Sequence, residues 1–516
     1  MPRGAQAEAP SSPPPAPGRV GWALAAVVLL AVLVRLPYLN QPLVDEQNWR
    51  QTDTAAMARN FYEEDMRILY PRVDWRGTTP GYVESEFPLY PYLVALVYRA
   101  AGGVDEAWGR AVSLLASVLT VVFLYALGAR LFNPAAGLWA GLLYAILPLS
   151  VFYGRAFMVE ALMILFSVAG IHLFAVWLDT RRPAAFAGAA LAVALALLVK
   201  IPTLYLGLPL LYLAYRTHGR GLLRRWELYL FAALVLAPAA LWYAHAHTLF
   251  QETRLTFGIW NRFGYSKFGP LAMRLDPQFY GVLAERIFGI VLTPVGGVLL
   301  LAGLLWPPVR AGGWTVHVWV LAIVIYFFVA AEGNRALEYY QLPLVPPAAL
   351  LGGRVLAEIQ WRRLIARTTA GRFLPAPAAM ALLVLLIGFL SFTYVRPSYT
   401  GHYYYPYFRG GFEIGRRIAD KTPPESLLLA VDVDENVSAP FRAQNPALLY
   451  YAHRKGWQIT PDEATPETIA AYADSGAAYL VAPIGEVMRR AELRDYLQSE
   501  HRVVASNERF AAFGLR

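Results

Sequence analysis

Asp45 and Glu46 stand side by side in "VDEQNWRQ", a few residues after the first long apolar run, "VGWALAAVVLLAVLVRLPYL". Adjacent carboxylates at the mouth of a spanning helix can be the start of an active site, where a carboxylate moves a proton. They can also be plain solvated loop. A third carboxylate, Glu160, lies inside the apolar stretch "SVFYGRAFMVEALMILF". A carboxylate there costs roughly 2.5–3.5 kcal/mol on insertion scales, so Glu160 needs a partner or a task, and Arg155 is a nearby candidate partner. Lys200 ends "AALAVALALLVK" directly before Ile-Pro. It can snorkel to the membrane surface, or it can neutralise an anionic head group held at membrane level. "NRALEYYQLPLVPP" gathers Arg335, Glu338, Tyr339 and Tyr340 at the start of another apolar run. An aromatic belt accounts for the tyrosines but not for the charges among them. "YVESEFPLYPYL" adds Glu84 and Glu86; Glu86 suits a helix N-terminus, where the dipole favours negative charge.

These residues need elements to carry them. The chain has 516 residues, 57% hydrophobic and 16% charged, against roughly 45–50% and about 25% in soluble domains. The excess falls in separate runs of roughly 15–25 residues, the pattern of a polytopic α-helical membrane protein. With twelve spans and a cytoplasmic N-terminus, the basic segments 179–183, 215–227 and 353–372 would all face outward, against the positive-inside rule. Demoting 87–103, a short run with Pro88 and Pro91, to an interfacial helix puts all three inside. About eleven membrane helices remain, within a range of eleven to thirteen. Segment 54–64 reads as a second interfacial helix, so the first outer loop, 39–108, is long and structured.

The expected division is a disordered tail at 1–18, a membrane domain at 19–396 and an extracytoplasmic α/β domain at 397–516. The N-terminal tail is Pro/Ala-rich and lacks a small-residue cleavage site, so the first helix is read as a retained anchor. In the C-terminal part, 426–435, 477–483 and 501–507 read as strands, and 465–476 and 485–500 as helices, the first opened by a Thr465 cap and Pro466. No phosphate-cradling glycine motif occurs there. Asn436-Val-Ser matches a glycosylation sequon by pattern alone. Cysteine is absent, which excludes disulfides and thiolate metal sites. The net charge of +9 reports orientation and anionic lipid rather than nucleic acid.

This topology brings acids, a lysine and aromatics from distant helices to one membrane face, a layout suited to a lipid-phosphate substrate. The ordered set resembles the GT-C superfamily of membrane glycosyltransferases, in the branch of protein O-mannosyltransferases and the aminoarabinose transferase of lipid A. The resemblance runs over about 20–360: the acidic pair after helix 1, "YGRxxMxE" where the family usually has Asp, "LVK" where it often has Thr-Lys-Gly, "EFPLYPYL", and "YYQLPLVPP". It implies inverting transfer of a sugar from a polyprenyl-phosphate donor to an acceptor at the outer face. By that resemblance Asp45 is the general base, and Glu46 and Glu160 orient acceptor or base. Lys200 and Tyr340, with Tyr339, Arg155 and Arg335, hold the lipid phosphate. Arg50, Glu86 and Gln341 are further substrate-binding candidates. No cofactor is required, although Asp45 and Glu160 could take a divalent cation. The implied setting is a bacterial inner membrane, with the active site outside. A transporter or flippase of lipid-linked sugars, or a non-catalytic assembly protein, is the alternative. Flippases often show internal repeats, and none is visible.

Overall fold

The computed structural model describes residues 17–259, 266–309, 311–359, 375–432 and 446–515. Most of the N-terminal tail, most of the basic segment 353–372 and the Asn436 sequon lie outside them. Helices α1 (Pro17–Leu33), α2 (Asn48–Glu63), α3 (Leu89–Ala101), α4 (Glu106–Leu131), α5 (Pro134–Ile146), α6 (Pro148–Tyr153), α7 (Glu160–Thr180) and α8 (Pro183–Val199) come first. They are followed by α9 (Gly207–His218), α10 (Trp226–Thr253), α11 (Pro277–Arg286), α12 (Thr293–Leu305), α13 (Trp314–Val329), α14 (Ala331–Ala336) and α15 (Val345–Glu358). A further long helix covers Ala376–Arg396.

Each of the eleven apolar runs is helical, but they are not eleven uniform spans. Glu106–Leu131, Glu160–Thr180, Trp226–Thr253 and Pro377–Gly401 are long and apolar enough to cross a membrane. Pro277–Val291 and Thr293–Leu305 make a fifth crossing only as a pair bent by 109°. The other runs carry helices of 12–17 residues. At 1.5 Å per residue the longest of these reaches about 25 Å, short of a hydrocarbon core of about 30 Å. The chain is an integral membrane protein whose helices are interrupted. α3, at 13 residues, is short, as its prolines predict. α2 begins at Asn48, six residues before the expected start, and is buried along nearly its whole length rather than lying on a surface.

Small residues let the bundle close. A Cβ on Gly137 of α5 would strike the Tyr125 carbonyl of α4, and one on Gly353 of α15 would meet backbone of α5. This is the close approach that membrane helices use in place of a hydrophobic driving force. One end of the bundle carries segment 34–105; the arginines of Asp179–Pro183 and of 216–225 lie at the other.

The C-terminal part forms a five-stranded sheet in the order β2-β1-β3-β5-β4. β1 (Leu427–Val431) pairs in parallel with β2 (Gly456–Ile459) and β3 (Ala477–Pro483), while β5 (Phe510–Gly514) is antiparallel to β3 and β4 (Arg502–Ser506). The inner strand β1, "LLLAV", is buried on both faces, which removes any alternation. Thr465 caps the helix Pro466–Asp474 as expected. The expected helix 485–500 is two, Ile484–Arg489 and Ala491–Glu500, broken at Arg490. β2, β5 and the helices Tyr405–Lys421 and Ala447–Ala452 had no counterpart in the sequence reading.

The sheet is docked, not tethered. Met57, Val73, Trp75 and Val83 share one buried cluster with Ile414, Ile418, Leu428, Leu448 and Phe510. At its edge Asp74, fully buried, takes Arg59 and, at 2.6 Å, Lys455. Burial alone would raise the Asp74 carboxyl; the two cations outweigh it and hold it well below the usual carboxylate range.

Candidate active site

Three helix breaks at the loop end of the bundle place the polar residues. α8 stops at Val199 because Pro202 cannot continue it, and Ile201 before that proline disfavours the helical conformation. Lys200 is therefore extended, at φ −157°, between α8 and the 3-10 turn Ile201–Leu206. α14 ends at Ala336, and the 3-10 turn Glu338–Leu344 carries Tyr339 and Tyr340. α6 ends at Gly154, a turn follows, and Glu160 opens α7, where a carboxylate favours the helix dipole. Interrupted backbone at membrane depth is tolerated where it lines a cavity, and these breaks do.

The cavity holds about 420 Å³. Ile201, Leu204, Ala322, Ile325, Val329 and Pro343 give it apolar walls, and Glu86, Glu160, Lys200, Lys267, Tyr339 and Tyr340 supply its polar groups. α7 and α8 form a tight antiparallel hairpin, so the start of one meets the end of the other. Lys200 Nζ lies 3.0 Å from Glu160 and 3.5 Å from Glu86, and 5.3 Å from the centroid of the Tyr339 ring. Glu160 is fully buried, and neither of its oxygens takes a hydrogen bond among the described residues. Glu86 also takes Arg50 at 2.7 Å. Its burial would raise the carboxyl, but Arg50, Lys200 and Lys267 hold it well below the usual range. The cluster alternates in sign, Arg50, Glu86, Lys200, Glu160.

Asp45 does not line this cavity. It is fully buried, with Arg155 at 2.6 Å and Arg110 at 3.5 Å. Gln51 donates to one carboxylate oxygen at 2.6 Å and Gln41 to the other at 3.1 Å. Burial pushes the acid up, and the two guanidiniums outweigh it, so Asp45 sits below its ordinary value as a held carboxylate. Glu46 goes the other way. Burial, then the neighbouring Glu338 and Asp45, push it up to about 8, so it keeps its proton at neutral pH. Glu338 accepts from Tyr153 and from Gln47 at 3.1 Å. The first turns of α2 join the two clusters, Arg50 reaching Glu86 on the cavity wall and Gln51 reaching Asp45.

Several expected pairings change. Glu160 pairs with Lys200, not Arg155, because the 154–159 turn sends Arg155 toward Asp45 and the Tyr38 carbonyl. Arg155 is thereby committed and fully buried, away from any phosphate in the cavity. Arg335 pairs with Glu332 at 2.7 Å. Gln341 is buried and donates to the Asn334 carbonyl at 3.0 Å. Glu86 stands three residues before α3 begins, and its carboxylate is taken by Arg50 and Lys200. Asp45 and Glu160, the proposed metal pair, each face cations, so this donor set does not fit a divalent ion as it stands; no group of three or more His, Asp or Glu is poised for one among the described residues. Lys267, Gln51 and Arg110 were missed. A lone Lys in a polar loop looks solvated, and an Arg in the first turn of a span looks interfacial.

Residues 85–243 match the family described as dolichyl-phosphate-mannose-protein mannosyltransferase. No curated protein matches the chain. Among solved structures, ArnT from Cupriavidus metallidurans bound to undecaprenyl phosphate is 15% identical, with a TM-score of 0.64, covering 96% of this chain and 98% of that one. Its apo state gives 16% identity and a TM-score of 0.62, covering 96% and 97%. The archaeal oligosaccharyltransferase AglB from Archaeoglobus fulgidus, in complex with an inhibitory peptide and a dolichol-phosphate, is 15% identical with a TM-score of 0.55, covering 93% of this chain and 71% of that one. ArnT and AglB are GT-C superfamily glycosyltransferases, and the resemblance read from the sequence holds at the level of the fold.

Proposed function

We propose that this chain is an inverting glycosyltransferase that moves a sugar from a polyprenyl-phosphate carrier to an acceptor hydroxyl. The observation that carries the reading is the cavity: apolar walls fit an isoprenoid, and Lys200 and Lys267 at its polar groups fit one phosphate. The solved structures that share the fold were obtained with undecaprenyl phosphate and dolichol-phosphate, which supports the same class of carrier. The acceptor oxygen bonds to the anomeric carbon as the bond from that carbon to the phosphate oxygen breaks. The polyprenyl phosphate leaves with the electron pair, neutralised by Lys200, with Lys267 and the Tyr340 hydroxyl beside it. The acceptor proton passes to a carboxylate, worth roughly 10²–10⁴-fold. Asp45 is assigned that role: its arginines keep it ionised, and an entering hydroxyl takes the place of a Gln41 or Gln51 amide. Glu46, protonated, orients the acceptor. A second assignment, Glu160 as proton acceptor, is favoured by its place on the cavity wall and by oxygens that, the Lys200 ion pair apart, take no hydrogen bond among the described residues. No step needs a metal. The arginines at the far end of the bundle support a cytoplasmic N-terminus and an extracytoplasmic site in a bacterial inner membrane.

The test uses membranes containing the protein and polyprenyl-phosphate monosaccharides labelled in the sugar. A transferase releases polyprenyl phosphate as label reaches an acceptor. Movement of intact donor across the bilayer without cleavage would establish a flippase instead. Inert donor in both respects would leave an assembly role. Asp45→Asn and Glu160→Gln, compared in the same assay, decide which carboxylate takes the proton.

A further inference from the structure

Past Arg396 the last long helix runs into a wide turn, Pro397–Gly401, and this turn closes on the acidic loop. The Ser398 carbonyl accepts the Glu46 backbone N–H at 2.8 Å. His402 Nε2 lies 3.2 Å from the Val44 carbonyl, to which it donates. The buried Tyr399 ring stacks on Tyr38, with centroids 4.8 Å apart. On the same ring sits the Arg155 guanidinium, 4.4 Å from the centroid, and that guanidinium holds Asp45 at 2.6 Å. Residues on both sides of Asp45, and its principal cation, are thus fixed by a segment some 350 positions away in sequence. The His402 ring in turn packs on Phe408, 5.4 Å between centroids, on the helix Tyr405–Lys421 that leads into the sheet.

We propose that Tyr399 and His402 are positioning residues for Asp45: the junction between the last membrane helix and the C-terminal sheet sets the orientation of the reacting carboxylate. A stacked guanidinium is restrained in two directions at once, by the ring face and by the carboxylate. Releasing it leaves Asp45 with Arg110 at 3.5 Å and the Gln41 and Gln51 amides. A 1 Å misplacement of a reacting group costs on the order of 10²-fold in rate. The inference rests on the assignment of Asp45, and the two can fail separately.

The experiment compares wild type, Tyr399→Phe, Tyr399→Leu, His402→Ala and His402→Gln in membranes, with a mixed pool of polyprenyl-phosphate monosaccharides made there from labelled nucleotide sugars. Tyr399→Phe keeps the ring but loses the hydroxyl, which also interacts with Arg155, so its kcat falls between those of wild type and Tyr399→Leu. Tyr399→Leu loses about 10- to 100-fold in kcat with donor KM unchanged. Its acid limb moves to higher pH, because Asp45 loses part of the charge that holds its proton affinity down. The groups that face Asp45 are Arg155, Arg110, Glu46, His402 and Tyr451, and only the hold on Arg155 changes in this variant. His402→Ala lowers kcat, and His402→Gln, which restores an N–H donor, recovers it. Equal kcat and pH profile in Tyr399→Leu and wild type, with Asp45→Asn inactive, would overturn the positioning role alone. Full activity in Asp45→Asn would overturn the assignment beneath it. A Tyr399→Leu loss that appears in KM rather than kcat would also overturn the proposal.

Discussion

Replacing Lys200 by Met separates the two tasks given to this residue. Its ammonium is 3.0 Å from Glu160 and 3.5 Å from Glu86. A hydrogen bond to a charged group is worth about 1.5–3 kcal/mol, so losing the phosphate contact weakens undecaprenyl phosphate binding by about 10- to 150-fold. The same change strips Glu160, 0% exposed, of the one cation paired with it among the described residues. Removing one partner of a buried pair costs about 3–5 kcal/mol. A loss of affinity in Lys200→Met alone could therefore be unfolding in disguise. The double variant Lys200→Met, Glu160→Gln resolves this: deleting both charges is neutral or stabilising, so its unfolding midpoint in detergent returns toward wild type. Its affinity for undecaprenyl phosphate stays at least about tenfold below wild type, because the attraction is still missing. Binding and melting are measured on the same preparations. Recovery of affinity to within about twofold of wild type in the double variant would refute the phosphate role of Lys200, and so would unchanged affinity in the single variant.

Asp45→Asn keeps the size of the side chain and removes the proton acceptor, so turnover falls by about 10²–10⁴-fold; a wild-type single-turnover rate would remove Asp45 from the chemistry. Glu46, raised to about 8, has a folded value above its unfolded one, so the stability it contributes is present at acid pH and lost as pH rises through about 8. Glu46→Gln imitates the protonated form, and its melting midpoint should fall less than that of wild type between pH 4.5 and about 8, the span from the ordinary to the folded value; parallel curves across that span would contradict this. Asp74→Asn leaves the buried Arg59 with only the more distant Glu63, at 3.9 Å, and up to about 3–5 kcal/mol of stability should be lost, seen as a lower melting midpoint and faster proteolysis around 421–427 at the base of the sheet. Unchanged proteolysis would mean that the apolar cluster alone docks the sheet.

Local signals in the sequence carried much of this. Apolar runs marked the helices among the described residues that are long enough to cross a membrane, because burial in lipid demands a continuous apolar stretch. Ile201-Pro202 marked the end of α8, so Lys200 was recognisable as a charge at a helix break. Thr465 and Pro466 marked a helix start because a cap needs only its own next three residues. Where local pattern failed, the cause was also local. Gly410, Gly411 and Gly415 hide the helix Tyr405–Lys421, although Phe408, Ile414 and Ile418 keep its apolar face. Gly415 is small because it lies against the helix Ala447–Ala452: a Cβ there would strike Tyr451. β2 and β5 are four and five residues long and lack alternation.

The sequence by itself determined which residue types sit at the loop end of the bundle. Only the tertiary structure decided who meets whom. Glu160 is five residues from Arg155 and forty from Lys200, yet the α7–α8 hairpin gives it the lysine. Asp45 finds its cation 110 residues on, and that cation finds Tyr399 far beyond it. Periodicity and caps are set by neighbours within a turn or two, which the chain order states directly. Ion pairs are chosen by which helix ends the packing brings together, so the same charges could have served several partners until the bundle closed.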